Sequence, residues 1–430
     1  MEELEYQLDG QEDLLKENNK FPAKIKKILA VLSVIIILLI ITIIILSILL
    51  SQKEDDNEES NPDEGKLYRK KISNIPYVYN DIIINSFKEG SENYNELLGN
   101  INNGIDYKKT DRNVYDLYIP YTATKRKEKY NKILLLVHGG GWIRGNKEEM
   151  NDLCEMYVEM DFIVVSIEYT LLNEEFSEEY NVYKILDEIT TAMKSIKNEL
   201  KKEGFNEDKL ELVIGGHSAG AHLSLLYAYK IKNPPIPIKF VINLCAPVSL
   251  EYEHWVMLKT FNETLESIDS QSLQLAKMEG RIIPLNMDYM NDIGLILIMN
   301  VWQGRKKLED FDEMLIENDN NTIINKESII YKKLLLLSNI AYPTNYIDSQ
   351  TIPTICFYGG NDQTVGIGQY AYLKDKFDGF RNSNISLIYS RYANHDLPTI
   401  FNYTISDCIK AVEELNKEIM SFSDKYFSKD

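Results

Sequence analysis

The run GGHSAG, Gly215 to Gly220, sets a serine between glycines directly after an apolar stretch and directly before a helical one. A sharp strand-to-helix turn of this kind is the setting in which a serine hydroxyl becomes an accessible nucleophile. The turn forces unusual backbone angles on Ser218, and Gly216 and Gly220 remove side chains that would collide with the neighbouring strand and helix. About 80 residues earlier, HGGGW (His138 to Trp142) follows the run KILLLV. Its consecutive glycines let backbone N–H groups converge on one point, where they stabilise the negative oxygen of a tetrahedral intermediate. Each motif alone is common; the pair in this order predicts acyl transfer.

A neutral serine needs a base, and the base needs an orienting acid. The chain has five histidines. His138 belongs to the glycine turn, His217 precedes the serine inside its own turn, His222 lies one turn into the following helix as a packing or polar support, and His254 falls in a long insertion. His395, in ANHDL, alone follows the last strand, where the chain order serine, acid, histidine places the base. The acid belongs after the preceding strand, and PTICFYGGNDQTV puts Asp362 just past its end. Asp396, adjacent to the histidine, and Asp348, which precedes the strand, are the weaker candidates.

These residues require a scaffold that presents several strand ends on one side. Apolar runs at 132–140, 162–169, 210–216, 240–247, 353–360 and 385–392 read as strands buried on both faces, which is the signature of a parallel sheet. Amphipathic stretches at 178–202, 219–231, 370–377 and 406–422 read as its covering helices. IDYKKT and NVYDLYIP read as an antiparallel entry hairpin. Between Pro247 and Pro353 lie 105 residues, far more than the dozen or so a crossover needs. Rich in Trp255, Met257, Met287, Met290 and Trp302, this stretch predicts a helical cap over about 250–345 that shapes a substrate pocket or presents a partner surface.

Taken in order, DLYIP, VHGGGW, VVSIEYTL, GGHSAGAHL, YGGNDQTV and ANHDL resemble the α/β-hydrolase superfamily over roughly residues 100 to 420. Within it they are similar to the HGGG-containing esterase branch, which includes hormone-sensitive-lipase-like carboxylesterases and arylformamidase-like and prenylcysteine-methylesterase-like proteins. The resemblance implies an α/β fold with a mostly parallel sheet and a cap insertion. It also implies Ser218 as nucleophile, His395 as general base and acid, Asp362 as orienting carboxylate, and the N–H groups of Gly140, Gly141 and Ala219 as the oxyanion hole. The implied activity is hydrolysis of a small-molecule or lipid-like carboxylic ester, needing no metal or organic cofactor. The alternatives are an amidase or formamidase on an N-acyl substrate and a catalytically silent adhesion or receptor ectodomain. The cap matches nothing in detail, so substrate choice does not carry over.

Outside the resemblance, Ile28 to Leu50 holds no charged residue and is almost wholly Ile, Leu and Val. At 1.5 Å per residue, about 20 such residues span a bilayer, and a water-soluble helix has no need to be apolar on every face. With Lys16, Lys20, Lys24, Lys26 and Lys27 before it and only Lys53 close behind, it reads as a signal anchor. A cytosolic tail (1–27), the span (28–50), an acidic linker (51–70) and a lumenal or extracellular domain (71–430) follow from that orientation. Sequons at Asn262, Asn320, Asn384 and Asn402 suit such a compartment. Cys154, Cys245, Cys356 and Cys408 match no zinc spacing and read as buried thiols at least as well as disulfides. With 66 acidic against 47 basic residues and a net charge of -19, the chain repels phosphate backbones, which excludes nucleic acid as a partner.

Overall fold

The computed structural model describes residues 67–72, 112–172, 181–251, 254–258, 270–279, 281–284, 315–318, 321–325, 327–329, 332, 338–397 and 404–429, all within the unit Gly65–Asp430. The tail, the apolar span 28–50, IDYKKT and the sequons at Asn262, Asn320 and Asn402 lie outside these residues. Among the described residues no helix is long and apolar enough to cross a membrane.

Eight strands form the main sheet: β1 (Leu67–Ile72), β2 (Tyr115–Pro120), β3 (Asn131–Val137), β4 (Ile163–Ile167), β5 (Leu210–His217), β6 (Ile238–Leu244), β11 (Thr354–Gly359) and β12 (Ile385–Ser390). Their order is β1-β2-β4-β3-β5-β6-β11-β12. From β4 to β12 every neighbour is parallel, while β2 runs antiparallel to β4 and β1 antiparallel to β2. The sheet is therefore the expected mostly parallel one, with two corrections at its edge. The partner of β2 is LYRKKI, and the sheet begins at Leu67 rather than after residue 70. That strand escapes the apolar pattern because it sits at an edge, where a sheet tolerates and often uses lysine.

The parallel strands are apolar on both faces because both faces are covered. Ile133, Leu135 and Val137 pack into one core with Val165, Ile214 and Tyr358, whereas Leu134 and Leu136 point into the other with Val164, Val213 and Phe357. Helices α1 (Asn151–Glu159) and α6 (Ser406–Tyr426) close the second core. The first is closed by α2 (Val182–Lys202), α3 (Ala219–Lys230) and α5 (Gly368–Gly379). Each fully buried Leu, Ile or Val contributes about 1.5–3 kcal/mol by leaving water, so these two layers carry the fold. Helix α2 starts at Val182, not Glu178, because the Asn181 side chain accepts the N–H groups of Tyr183 (3.1 Å) and Lys184 (3.2 Å) and caps it there.

The described residues of the insertion after β6 include short strands that its composition does not announce, while Met287, Met290 and Trp302 lie outside the described residues. Among its described residues are helix α4 (Ser270–Met278), a ladder of β7 (Val256–Leu258) with β8 (Ile282–Pro284), and a hairpin of β9 (Leu315–Asn318) with β10 (Asn321–Ile324). Strands of three or four residues leave too little periodicity to read. All four cysteines are buried free thiols.

Candidate active site

The motifs singled out by chemistry all follow the carboxyl ends of parallel strands, which is where open α/β sheets collect their ligand sites. Ser218 sits between β5 and α3 with φ 53 and ψ -119, a conformation that L-residues rarely adopt. Close packing makes the turn possible: a Cβ on Gly216 would lie 2.5 Å from the Val137 carbonyl oxygen, and one on Gly220 would run into the same oxygen. The Ser218 N–H donates to the Leu244 carbonyl at 2.8 Å, tying the turn to β6.

The Ser218 hydroxyl is 2.8 Å from His395 Nε2, and His395 Nδ1 is 2.8 Å from Asp362 Oδ2. Since the carboxylate only accepts, Nδ1 carries the proton and bare Nε2 accepts from the serine. Asp362 is fully buried, and its other oxygen, Oδ1, accepts the N–H groups of Thr364 (2.8 Å) and Val365 (2.7 Å). Asp348 instead closes a local turn through Gln350 and Thr351, and Asp396 is exposed. The geometry thus joins Ser218, His395 and Asp362 and leaves the two weaker acids apart.

Beside this chain runs the glycine turn. Gly140 (φ 104) and Gly141 (φ 61) take the left-handed backbone that glycine adopts at no steric cost, and a Cβ on Gly140 would collide with the Arg144 carbonyl. Ala219 is the first residue of α3, so its N–H has no acceptor within the helix.

Residues that the sequence did not single out brace the turn from beneath. The Tyr169 hydroxyl donates to the carbonyls of His138 and Gly139, each at 3.2 Å, and its ring stacks on His138 at 4.2 Å. Burial pushes the phenol far above its ordinary range, so it remains a donor. Arg112 pairs with Glu168 and donates to the carbonyls of Gly145 (2.6 Å) and Tyr169 (3.1 Å). A charged residue just beyond a fully buried strand, as Glu168 is beyond β4, was the available signal.

Two histidines near the serine serve as neutral struts. His222 accepts the Trp142 indole N–H at 3.2 Å on Nδ1 and donates from Nε2 to the Ala341 carbonyl at 2.8 Å, linking the glycine turn to the end of the insertion. Burial lowers its pKa to about 4. His217 Nε2 lies 2.6 Å from the carbonyl oxygen of His395. Burial, with a smaller effect of charge on His395, lowers the pKa of His217 to about 3.

Cys245, left-handed at φ 58, brings a thiol within 4.8 Å of Asp362 and His395 donor atoms. Thiol, carboxylate and imidazole form a zinc-type donor set. Here, however, the carboxylate and imidazole already bind each other. Burial and the Asp362 charge also hold the thiol pKa well above its ordinary value, so the thiolate a metal requires is disfavoured.

The BD-FAE family pattern matches residues 115–377, from β2 through most of α5. The chain belongs to the BD-FAE family. This BD-FAE member is an α/β-hydrolase of the esterase type. Among curated proteins it is 26% identical over 131 residues to arylacetamide deacetylase of Bos taurus, covering 30% of this chain and 31% of that protein. It is 27% identical over 130 residues to the non-reducing polyketide synthase adrD of Penicillium rubens, covering 30% of this chain and 5% of the synthase. The matched stretch is thus less than a third of either relative. Similar solved structures include esterase B from Lactobacillus rhamnosis, at 14% identity and TM-score 0.49 over 90% of this chain and 95% of that one. A truncated carbohydrate esterase from gut microbiota matches at 15% identity and TM-score 0.46 over 74% and 93% of the two chains.

Proposed function

We propose that this protein is a membrane-anchored serine hydrolase that cleaves carboxylic esters through an acyl-enzyme. The observation that carries the reading is the unbroken hydrogen-bond chain from Ser218 Oγ through His395 to buried Asp362, next to a left-handed glycine turn. Ser218 Oγ attacks the ester carbonyl carbon while its proton passes to His395 Nε2. The N–H groups of Gly140, Gly141 and Ala219 take up the negative charge on the carbonyl oxygen. Each such donor is worth about 10²–10³-fold in rate. The carbon–oxygen bond to the alcohol then breaks, and His395 returns the proton to the leaving oxygen. Water, deprotonated by the same Nε2, attacks the acyl carbon; the carbon–Oγ bond then breaks, His395 returns the proton to Ser218 Oγ, and the acid leaves. Asp362 holds the ring in the required tautomer throughout and stays ionised.

The relative named arylacetamide deacetylase favours a second reading, in which the scissile bond is an amide. The two part on one assay of the full-length chain with matched butyrate derivatives. The ester reading expects p-nitrophenyl butyrate to turn over at least about 100-fold faster than the anilide, because the poorer amine leaving group demands more of the acid at His395. Comparable rates, or faster anilide cleavage, favour the amidase.

The anchor rests on the uncharged run 28–50 and its flanking lysines. In intact microsomes the catalytic domain is expected to resist added protease and to be digested once detergent opens the membrane. Digestion without detergent would overturn the lumenal orientation.

A further inference from the structure

We infer that His217 is a positioning residue for the general base: from inside the serine turn, its ring N–H fixes the backbone of His395 and so sets the line from Ser218 Oγ to His395 Nε2. This inference rests on the proposed hydrolase reading and extends it to a residue with no part in the proton relay.

His395 needs an external support. It lies past the end of β12 on a segment without regular structure, where the Asp396 N–H donates to the Asn394 side chain at 2.8 Å and the Ala393 carbonyl accepts the Asn361 N–H at 3.0 Å. The carbonyl of His395 itself is met by His217 Nε2 at 2.6 Å. The two rings sit 4.9 Å apart, inclined at 43°. His217 and Ser218 are adjacent in the chain, so one short rigid turn holds both the nucleophile and the prop for its base. The His217 bond thus ties the backbone of His395 directly to the turn that carries Ser218, beside the Asp362 contact that orients its ring.

The other side of the ring is equally constrained. A Cβ on Gly139 would lie 2.9 Å from His217 Nδ1 and 3.2 Å from the His217 carbonyl oxygen. The imidazole thus stands between the glycine turn and the base loop, and only a glycine leaves it room. Its protonation state suits the task. A neutral ring has one N–H, the His395 carbonyl can only accept, and so the proton sits on Nε2. Deep burial keeps it neutral at working pH. A charged His217 would oppose the imidazolium that forms transiently on His395, and a neutral one does not.

The test uses the full-length chain, p-nitrophenyl butyrate, and four variants measured for kcat, KM and Tm. His217→Phe keeps a flat ring and removes the donor. His217→Gln keeps an N–H that reaches the carbonyl, and His217→Asn keeps the same amide one methylene too short. Ser218→Ala reports on the site as a whole. The expected result for His217→Phe is a fall of about 10–100-fold in kcat, the scale of a misplacement near 1 Å, with KM within about threefold of wild type. His217→Gln recovers most of that loss, and His217→Asn does not. If His217→Phe does not fold, the Gln and Asn pair carries the comparison. Unchanged kcat in His217→Phe, equal losses in Gln and Asn, or a loss confined to KM would each overturn the inference. Activity retained by Ser218→Ala would overturn the hydrolase reading instead. A dead Ser218→Ala beside a fully active His217→Phe defeats this inference alone.

Discussion

Replacing Ser218 by alanine is expected to lower kcat for p-nitrophenyl butyrate by about 10⁴-fold or more, with Tm within a few degrees of wild type. The loss is large because the hydroxyl is the atom on which His395 Nε2 converges at 2.8 Å. The fold is expected to survive because the demands of the turn fall on its glycines. Gly216 and Gly220 lie against the Val137 carbonyl, and the Ser218 backbone N–H, kept in alanine, still donates to Leu244. Alanine inherits the positive φ of the serine with the same Cβ, so no new strain is introduced. The residual rate over water measures what the glycine turn achieves alone. Steady-state turnover with a thermal melt checks both halves of the expectation.

Asp362→Asn is expected to cost nearly as much, about 10⁴-fold in kcat, although it changes one atom on a residue that never touches substrate. Asp362 Oδ1 accepts two N–H groups, from Thr364 and Val365, while Oδ2 accepts from His395. An asparagine has one oxygen, and the two backbone donors claim it. Its NH₂ group is left facing His395 Nδ1, where two donors cannot meet. The imidazole resolves the conflict by moving its proton to Nε2, and a protonated Nε2 no longer accepts from Ser218. KM stays near wild type because the binding surface is untouched. A decrease of less than about tenfold, or one carried by KM, would remove Asp362 from the role of orienting acid.

The legible part of this molecule and the hidden part differ in how their physics is written along the chain. Strands β3 to β6 and β11 are covered on both faces, so they stand out as unbroken apolar runs. The glycine-flanked serine, and chain order for the base and acid, then lead to Ser218, His395 and Asp362, whose side chains are joined by hydrogen bonds. The edge strand Leu67–Ile72 is hidden because its run LYRKKI has no apolar pattern, which an edge position tolerates, and the ladders of the insertion are hidden because strands of three or four residues have no period. Tertiary contacts hide differently. Nothing near Arg112 announces that it holds the Gly145 carbonyl, 33 residues on. His217 is visible only as the residue before the serine, since its partner is a backbone carbonyl that any sequence would supply. The proposed anchor is the opposite case: 28–50 is the plainest segment in composition and lies outside the described residues.

The account turns on covalent chemistry at one oxygen, and labelling with a fluorophosphonate tests that directly. The full-length protein is expected to gain the mass of one phosphonyl group per chain, with loss of ester hydrolysis in step, and peptide mapping is expected to place the group on Ser218. The Ser218→Ala protein is expected to gain nothing. An adduct on another residue, or full ester hydrolysis by a protein that takes up no label, would contradict it.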